Sequence, residues 1–378
     1  MARIIYAVSG EGMGHAIRSK VIIEHLLKKK HDIIIVCGGN AYHFLSKHFD
    51  NVYKIECHRI IYKNNQAMHF KTAVDYLRKL PKNSAKNFKE LLRIMVKFDP
   101  DMVITDFEPF SNLLSIIFRI PVIAIDNILI LRKGVIEIPK GELVSYITAK
   151  VITYSFNSIK AHKYIITTFF YPERKKPENT VLVPPSLRKE ILDAKTRKGK
   201  HILVYQTSIT NQKLLESLKK IDEEFIIYGF NKEKQVKNLK FREFSEKNFI
   251  KDLSSCKAVI VNGGFTVLSE AIYLQKPIFS VPVKKQFEQT LNAIYLEKLG
   301  YGEHHIDATT AKIKKFIQKL PDYENNLKEY KQDGNKKLFR EVDNTVEEML
   351  TKKRSYIQNI KLINKRFFEL LNKLEVIR

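Results

Sequence analysis

Two glycine-rich clusters, one near each end of the chain, hold the residue types that could do chemistry. The first reads Ser9-Gly10-Glu11-Gly12-Met13-Gly14-His15 and continues to Arg18. Alternating glycines permit positive φ and let another molecule approach the backbone closely. A helix starting after them offers unsatisfied N–H groups and a positive dipole end, which seat anionic oxygens. His15 adds a group that can donate to a phosphate or take a proton near neutral pH. Two familiar loops are excluded. A nucleotide-binding P-loop needs Lys and Ser/Thr after its last glycine, where His15 and Ala16 stand. A dinucleotide fingerprint needs glycine at His15 and an acid after the second strand, where Gly38 and Gly39 stand. A tight strand-to-helix turn without a ligand is the alternative reading.

The second cluster runs from Val259 through Asn262-Gly263-Gly264-Phe265-Thr266 to Glu270 and Ala271. A buried strand ends in two glycines and a helix begins near Thr266, so the amides of Gly264, Phe265 and Thr266 can point at a diphosphate. Glu270 follows Thr266 by one helical turn on the same face. Its carboxylate can accept two hydroxyls, as a ribose diol would offer. Farther on, Glu288-Gln289 and Asn292 place an acid and two amides after another strand. They suit the several hydroxyls of a hexose, or else a solvated helix start.

The elements that must position these groups alternate in kind. Apolar runs at Arg3 to Ser9, Asp32 to Cys37, Met102 to Thr105 and Val122 to Ile125 predict buried parallel strands separated by helices. The pattern restarts with strands at His201 to Gln206, Phe225 to Gly229, Ala258 to Val261 and Ile278 to Val281. Between the two sets lies a Pro- and Lys-rich stretch. The expected division is a first domain over 1–170, a linker over 171–200, a second domain over 201–334 and a helical segment over 335–378. In the last part Tyr356, Ile360, Ile363, Phe367, Leu370 and Leu374 recur at helical spacing among lysines. That basic amphipathic helix suits an anionic membrane surface, packing across the domain junction, or pairing with another chain.

Composition bounds the rest. The chain has 378 residues, 44% of them hydrophobic, enough for two domains with their own cores. The opening residues lack a secretory leader pattern, and Leu113 to Ile125, broken by Arg119 and Pro121, is too short to span a membrane. Cys37, Cys57 and Cys256 have neither metal nor disulfide spacing and suit the cytoplasm. A net charge of +25 calls for an anionic partner or reflects a lysine-rich surface. Nucleic acid is excluded, because no known binding motif is present and Asp106, Glu270 and Glu288 would line the groove.

Together these residues resemble the GT-B glycosyltransferases, close to family 28, which includes the peptidoglycan lipid-intermediate N-acetylglucosaminyltransferase. The motif Gly10-Glu11-Gly12-Met13-Gly14-His15-Ala16-Ile17-Arg18 is similar to that of glycosyltransferase-like bacterial and archaeal proteins. The resemblance covers most of Ala2 to about Lys352. It implies an α/β fold of two Rossmann-like domains facing across a cleft, with C-terminal helices. It also implies a UDP-sugar held mainly by the second domain. Glu270 would hold the ribose, Gly263, Gly264, Phe265 and Thr266 the diphosphate, and Glu288, Gln289 and Asn292 the donor sugar. A backbone group near Phe244 would read the uracil. Gln206 and Ser208 stand where the peptidoglycan enzyme has a glycine-rich run, and would contact phosphate through side chains. The donor-sugar segment is one residue shorter before Asn292.

The first domain would then bind the acceptor, with Gly10, Gly12, Gly14 and Arg18 forming a phosphate loop. Glu11, His15 and Asp106 are the catalytic candidates, Asp106 being favoured as general base with His15 its competitor. Asp126 ends a neighbouring strand and reads equally as a base or a turn. The implied reaction is inverting transfer of a hexose or N-acetylhexosamine from a UDP-sugar to an acceptor hydroxyl, with no metal and no further cofactor. The acceptor would be a glycan or lipid-linked group. The basic tail 353–378 lies beyond the resemblance; the anionic inner face of the membrane and packing on the protein stay open for it. An epimerase or hydrolase of the same fold, and a nucleotide-sugar-binding protein without turnover, are the alternatives.

Overall fold

The computed structural model describes residues 1–10, 12–57, 62–63, 66–67, 85–156, 161–206 and 212–352. Two seven-stranded sheets dominate it. The first runs Val52–Lys54, Asp32–Cys37, Arg3–Val8, Met102–Asp106, Val122–Asp126, Lys163–Thr167 and Thr180–Val183, all parallel. The second runs Lys234–Val236, Leu239–Phe241, Phe225–Tyr228, Ile202–Tyr205, Ala258–Val261, Ile278–Ser280 and Gly302–His304. Only Lys234–Val236 is antiparallel. This is the two-domain α/β architecture of the GT-B glycosyltransferases.

The strands are short apolar runs because helices cover both faces of each sheet. Ile4, Ile5, Tyr6, Ala7 and Val8 are fully buried in succession, with no polar alternation. The helix Met13–Lys28 lies against one face and buries Ile22, Ile23 and Leu26, each contributing about 1.5–3 kcal/mol relative to exposure. It ends where Lys30 turns left-handed, at φ 60°. The opposite face is covered by the helices 85–98, Pro109–Ile117 and Leu143–Phe156, which supply Leu91, Ile94, Leu114 and Tyr146 to a separate core cluster.

Each sheet reverses its strand order beside its first strand. In the first domain this happens between Arg3–Val8 and Met102–Asp106; in the second, between Ile202–Tyr205 and Ala258–Val261. Loops at the carboxyl ends of such neighbours splay apart and leave a crevice for a ligand. Both glycine clusters occupy these positions.

The chain crosses between domains differently from expectation. Part of the stretch expected as linker belongs to the first sheet, since Thr180–Val183 pairs in parallel with Lys163–Thr167. The first crossing therefore follows Val183. The second comes near Asn335, after which the helix 336–352 returns to the first domain. There Leu338, Val342, Val346 and Met349 join the core around Ile4, Tyr6 and Ile22. The two crossings are tied together: Asn335 accepts from the Leu187 N–H at 2.9 Å and donates to its carbonyl at 2.7 Å. Gln332 also donates to the Pro185 carbonyl.

Candidate functional site at the domain interface

The first-domain half is built around Asp106, the last residue of its strand and fully buried. Arg18 donates to both its oxygens, from Nε at 2.9 Å and Nη2 at 2.7 Å. Ser19 Oγ donates at 3.1 Å, and His15 Nδ1 lies 2.7 Å from Oδ1. Burial pushes the Asp106 carboxyl up, but Arg18 and His15 outweigh it and hold the group below the usual carboxylate range. Burial likewise opposes charge on Arg18, and Asp106 keeps it charged. An ionised, saturated carboxylate without exposure cannot reach an acceptor hydroxyl. Asp106 thus does not suit the role of base for which it was favoured, but is well placed to orient His15.

His15 itself is 13% exposed at the side chain. Arg18 Nη2 also lies 3.1 Å from Nδ1; donation of Nδ1–H to Asp106 would leave Nε2 with the free lone pair, the tautomer needed to accept a proton. Phe107 stacks beside the imidazole at 6.0 Å and 15°. It does so from a left-handed backbone, φ 59°, a strain of about 1 kcal/mol or more beside the His15–Asp106 pair. Glu108 caps the next helix, accepting from the N–H groups of Phe110 and Ser111.

The first glycines serve separate purposes. A Cβ on Gly10 would lie 2.3 Å from Cys57 Sγ, and one on Gly14 would lie 2.8 Å from Thr266 Oγ1 of the second domain. Gly12 instead needs its conformation, φ 76°, with open space beside it. Glu11 lies outside the described residues.

In the second domain, Gly264 is the N-cap of the helix Phe265–Tyr273 and has open space where a Cβ would be. Gly263 is different. Its N–H donates to Gln289 Oε1 at 3.2 Å, its carbonyl accepts from Asn292 Nδ2, and a Cβ would lie 2.2 Å from the Gln289 carbonyl. Gln289 Oε1 also accepts from the Val283 N–H at 3.0 Å. Gln289 and Asn292, expected to read the donor sugar, here brace the glycine turn. The Phe265 ring is buried and stacks on Phe169 of the first domain at 5.9 Å.

Glu270 is 1% exposed and paired twice with Arg188, which donates from Nε at 2.7 Å and Nη2 at 2.8 Å. Arg188 reaches Glu246 as well, at 2.6 Å. Burial pushes the Glu270 carboxyl up while the Arg188 charge pulls it down. Phe244 stands half-exposed over an aromatic group of Tyr205, Tyr228 and Phe249. Gln206 is buried, 3.4 Å from Asn262 Nδ2, and Ser208 lies outside the described residues.

A hydrogen-bond chain crosses the cleft. Asp106 holds Arg18, Arg18 Nη1 donates to Asn127 Oδ1 at 2.7 Å, and Asn127 Nδ2 donates to Glu288 Oε1 at 2.7 Å. The two domains therefore meet where Gly14 lies against Thr266, where Asn127 reaches Glu288 and where Phe169 stacks on Phe265. Asp126, beside Asn127, accepts from the Leu129 N–H in a turn; burial, then Asp106, push its carboxyl up to about 6. Sequence reasoning passed over Arg188 and Ser19. The signal for Arg188 was its place just after Pro184-Pro185, where the chain changes domains. Among the described residues no group of three or more His, Cys, Asp or Glu side chains is gathered for a metal ion.

Known proteins agree with this architecture. The family model described as glycosyl transferase family 1 matches residues 2–321. An uncharacterized glycosyltransferase of Methanosarcina mazei is 24% identical over 332 residues, covering 80% of this chain and 85% of its own. The Acinetobacter baumannii MurG structure is similar with a TM-score of 0.59 at 14% identity, covering 90% of this chain and 99% of that one. Phytolacca americana UGT2, complexed with UDP-2fluoro-glucose and pterostilbene, has a TM-score of 0.64 at 13% identity, covering 91% and 99%. The family description is that of family 1, where the sequence motif had suggested family 28. With its two facing sheets and a match running through both, this chain belongs to glycosyl transferase family 1.

Proposed function

We propose that the protein transfers a hexose or N-acetylhexosamine from a UDP-sugar to an acceptor hydroxyl with inversion, His15 acting as general base. The observation that carries this reading is the His15–Asp106 pair, set 2.7 Å apart and next in sequence to Gly14, where a Cβ would lie 2.8 Å from Thr266 Oγ1 in the first turn of the helix that Gly264 caps. Asp106 fixes the imidazole tautomer and stabilises the imidazolium that forms as the acceptor oxygen attacks. General-base help of this kind contributes about a hundred- to ten-thousandfold in rate. The amides of Gly264, Phe265 and Thr266, at the positive end of their helix, would take the charge of the departing diphosphate. In this scheme the leaving group needs no metal ion.

Glu270 retains one lone pair on each oxygen beyond those used by Arg188, enough for the two ribose hydroxyls. Its burial means that the ribose reaches it only after the side chains around it move. Phe244 offers an exposed ring face at the rim for the base.

Calorimetric titration with UDP, UDP-N-acetylglucosamine, UDP-glucose and GDP-mannose tests the donor site. Uridine nucleotides are expected to bind the wild type and to lose at least about tenfold in affinity on Glu270→Ala. Absence of binding by every nucleotide would defeat the proposal.

A further inference from the structure

A cavity of about 390 Å³ opens where the stretch 134–142 of the first domain meets the second domain. It is of the size that takes a small organic molecule. Its first-domain wall is a turn in which the Glu142 N–H donates to the Pro139 carbonyl at 3.1 Å, with Gly141 left-handed at φ 87°. That turn brings Ile138 and Lys140 to the lining. The second-domain wall is the segment Pro282 to Lys285, together with Ile294 on the helix Phe287–Lys298. The two walls are held to one another, since Tyr146 packs on Phe287 with ring centres 5.2 Å apart and Lys298 pairs with Glu137.

The lining is cationic toward solvent and apolar beneath. Lys140, Lys284 and Lys285 are exposed, whereas Val283 is buried and Ile294 half-buried. With Glu137 taken by Lys298, the rest of the lining carries three lysines and one glutamate. Like charges drawn from two domains to one hollow repel unless an anion lies among them. Lys285 also holds a left-handed backbone, φ 65°, a strain of about 1 kcal/mol or more, of the kind that persists at ligand clamps. A bare anion would satisfy the lysines and leave Ile138, Val283 and Ile294 without a partner.

We propose that this cavity is a second binding site, for a phosphate ester of a small organic molecule gripped by lysines of both domains. Lys140 and Lys284 neutralise the phosphate from either side, and the carbon body lies along Ile138, Val283 and Ile294. The site is separate from the diphosphate seat proposed above, because none of Gly264, Phe265 and Thr266 lines it. The two are neighbours through Val283, whose N–H donates to Gln289 Oε1. A ligand that touches both walls also ties the domains together.

Isothermal calorimetry with phenyl phosphate tests the site, with UDP present so that the seat at Gly264 does not take up the probe. The wild type should bind phenyl phosphate more tightly than inorganic phosphate or phenol. Lys140→Ala/Lys284→Ala should lose about tenfold or more of that affinity, with thermal unfolding and UDP affinity unchanged. Lys89→Ala/Lys97→Ala removes the same charge from exposed positions on the helix 85–98 and should bind the probe like wild type. The proposal fails if the wild type takes up no phenyl phosphate or if the cavity variant binds it undiminished. It also fails if the remote variant loses as much, because the net charge of +25 would then account for the binding. The inference does not rest on the donor-site reading: the comparison of variants holds whether or not UDP binds.

Discussion

Replacing Asp106 with Asn tests the first-domain site at its centre. The substitution keeps the shape but removes the charge facing Arg18, whose guanidinium is 4% exposed and whose other side-chain partners are the neutral Asn127 amide and His15 Nδ1. Leaving a buried cation without its anion costs about 3–5 kcal/mol. The chain has no tryptophan, so urea unfolding is followed by far-ultraviolet circular dichroism. The double variant Arg18→Met/Asp106→Asn removes both charges and should recover most of that loss. Activity should not recover with it, because His15 still lacks its orienting carboxylate. UDP release should remain about a hundred- to ten-thousandfold below wild type, equivalent to about 3–5 kcal/mol of barrier. Single and double variants of equal stability would refute the buried-pair argument. Turnover in the double variant within about threefold of wild type would refute the role given to His15 and Asp106.

Other consequences can be checked singly. Asp126, with its carboxyl raised to about 6, favours the folded state when protonated. Its contribution is complete below about pH 4 and is lost as pH rises through 6, a swing of about 3 kcal/mol; Asp126→Asn should flatten the stability profile across that window. Gly263→Ala, forced against the Gln289 backbone, should destabilise far more than Gly12→Ala, which meets only the cost of positive φ, about 1 kcal/mol. Thermal unfolding of the two variants ranks them. Asn127→Asp sets a second carboxylate against Glu288, at a contact of 2.7 Å, and should open the cleft. Small-angle scattering would register a larger radius of gyration, and an unchanged radius would argue against that contact as a clasp.

What could be read from the sequence was mostly local. Strand-glycine-helix junctions announce themselves within a dozen residues, so both clusters and their place at strand ends were legible. The short strands Val52–Lys54, Leu239–Phe241 and Gly302–His304 were not. Three residues carry too little apolar pattern to distinguish a strand from a loop, and it is pairing with an existing sheet edge that makes them strands. Gly263 and Gly264 look equivalent in the sequence. Gln289, 26 positions away, makes one a packing contact and leaves the other open. The same limit applies to Asp106. Its type and position suggested a base, whereas Arg18, 88 residues earlier, consumes its lone pairs. Glu270 was visible as a free carboxylate, and its partner was hidden in a stretch that looked like mere linker.

The stitched crossings at Leu187 and Asn335 fix how the enzyme can move. Two straps passing side by side act as the pins of a door, leaving one easy swing and resisting twist and slide. Because the pins sit together, an angular change there is carried to the contact where Asn127 touches Glu288. In the proposed reaction the leaf that swings would carry the donor and the frame His15, so that every opening would separate base from leaving group and every closing would return them to the same register.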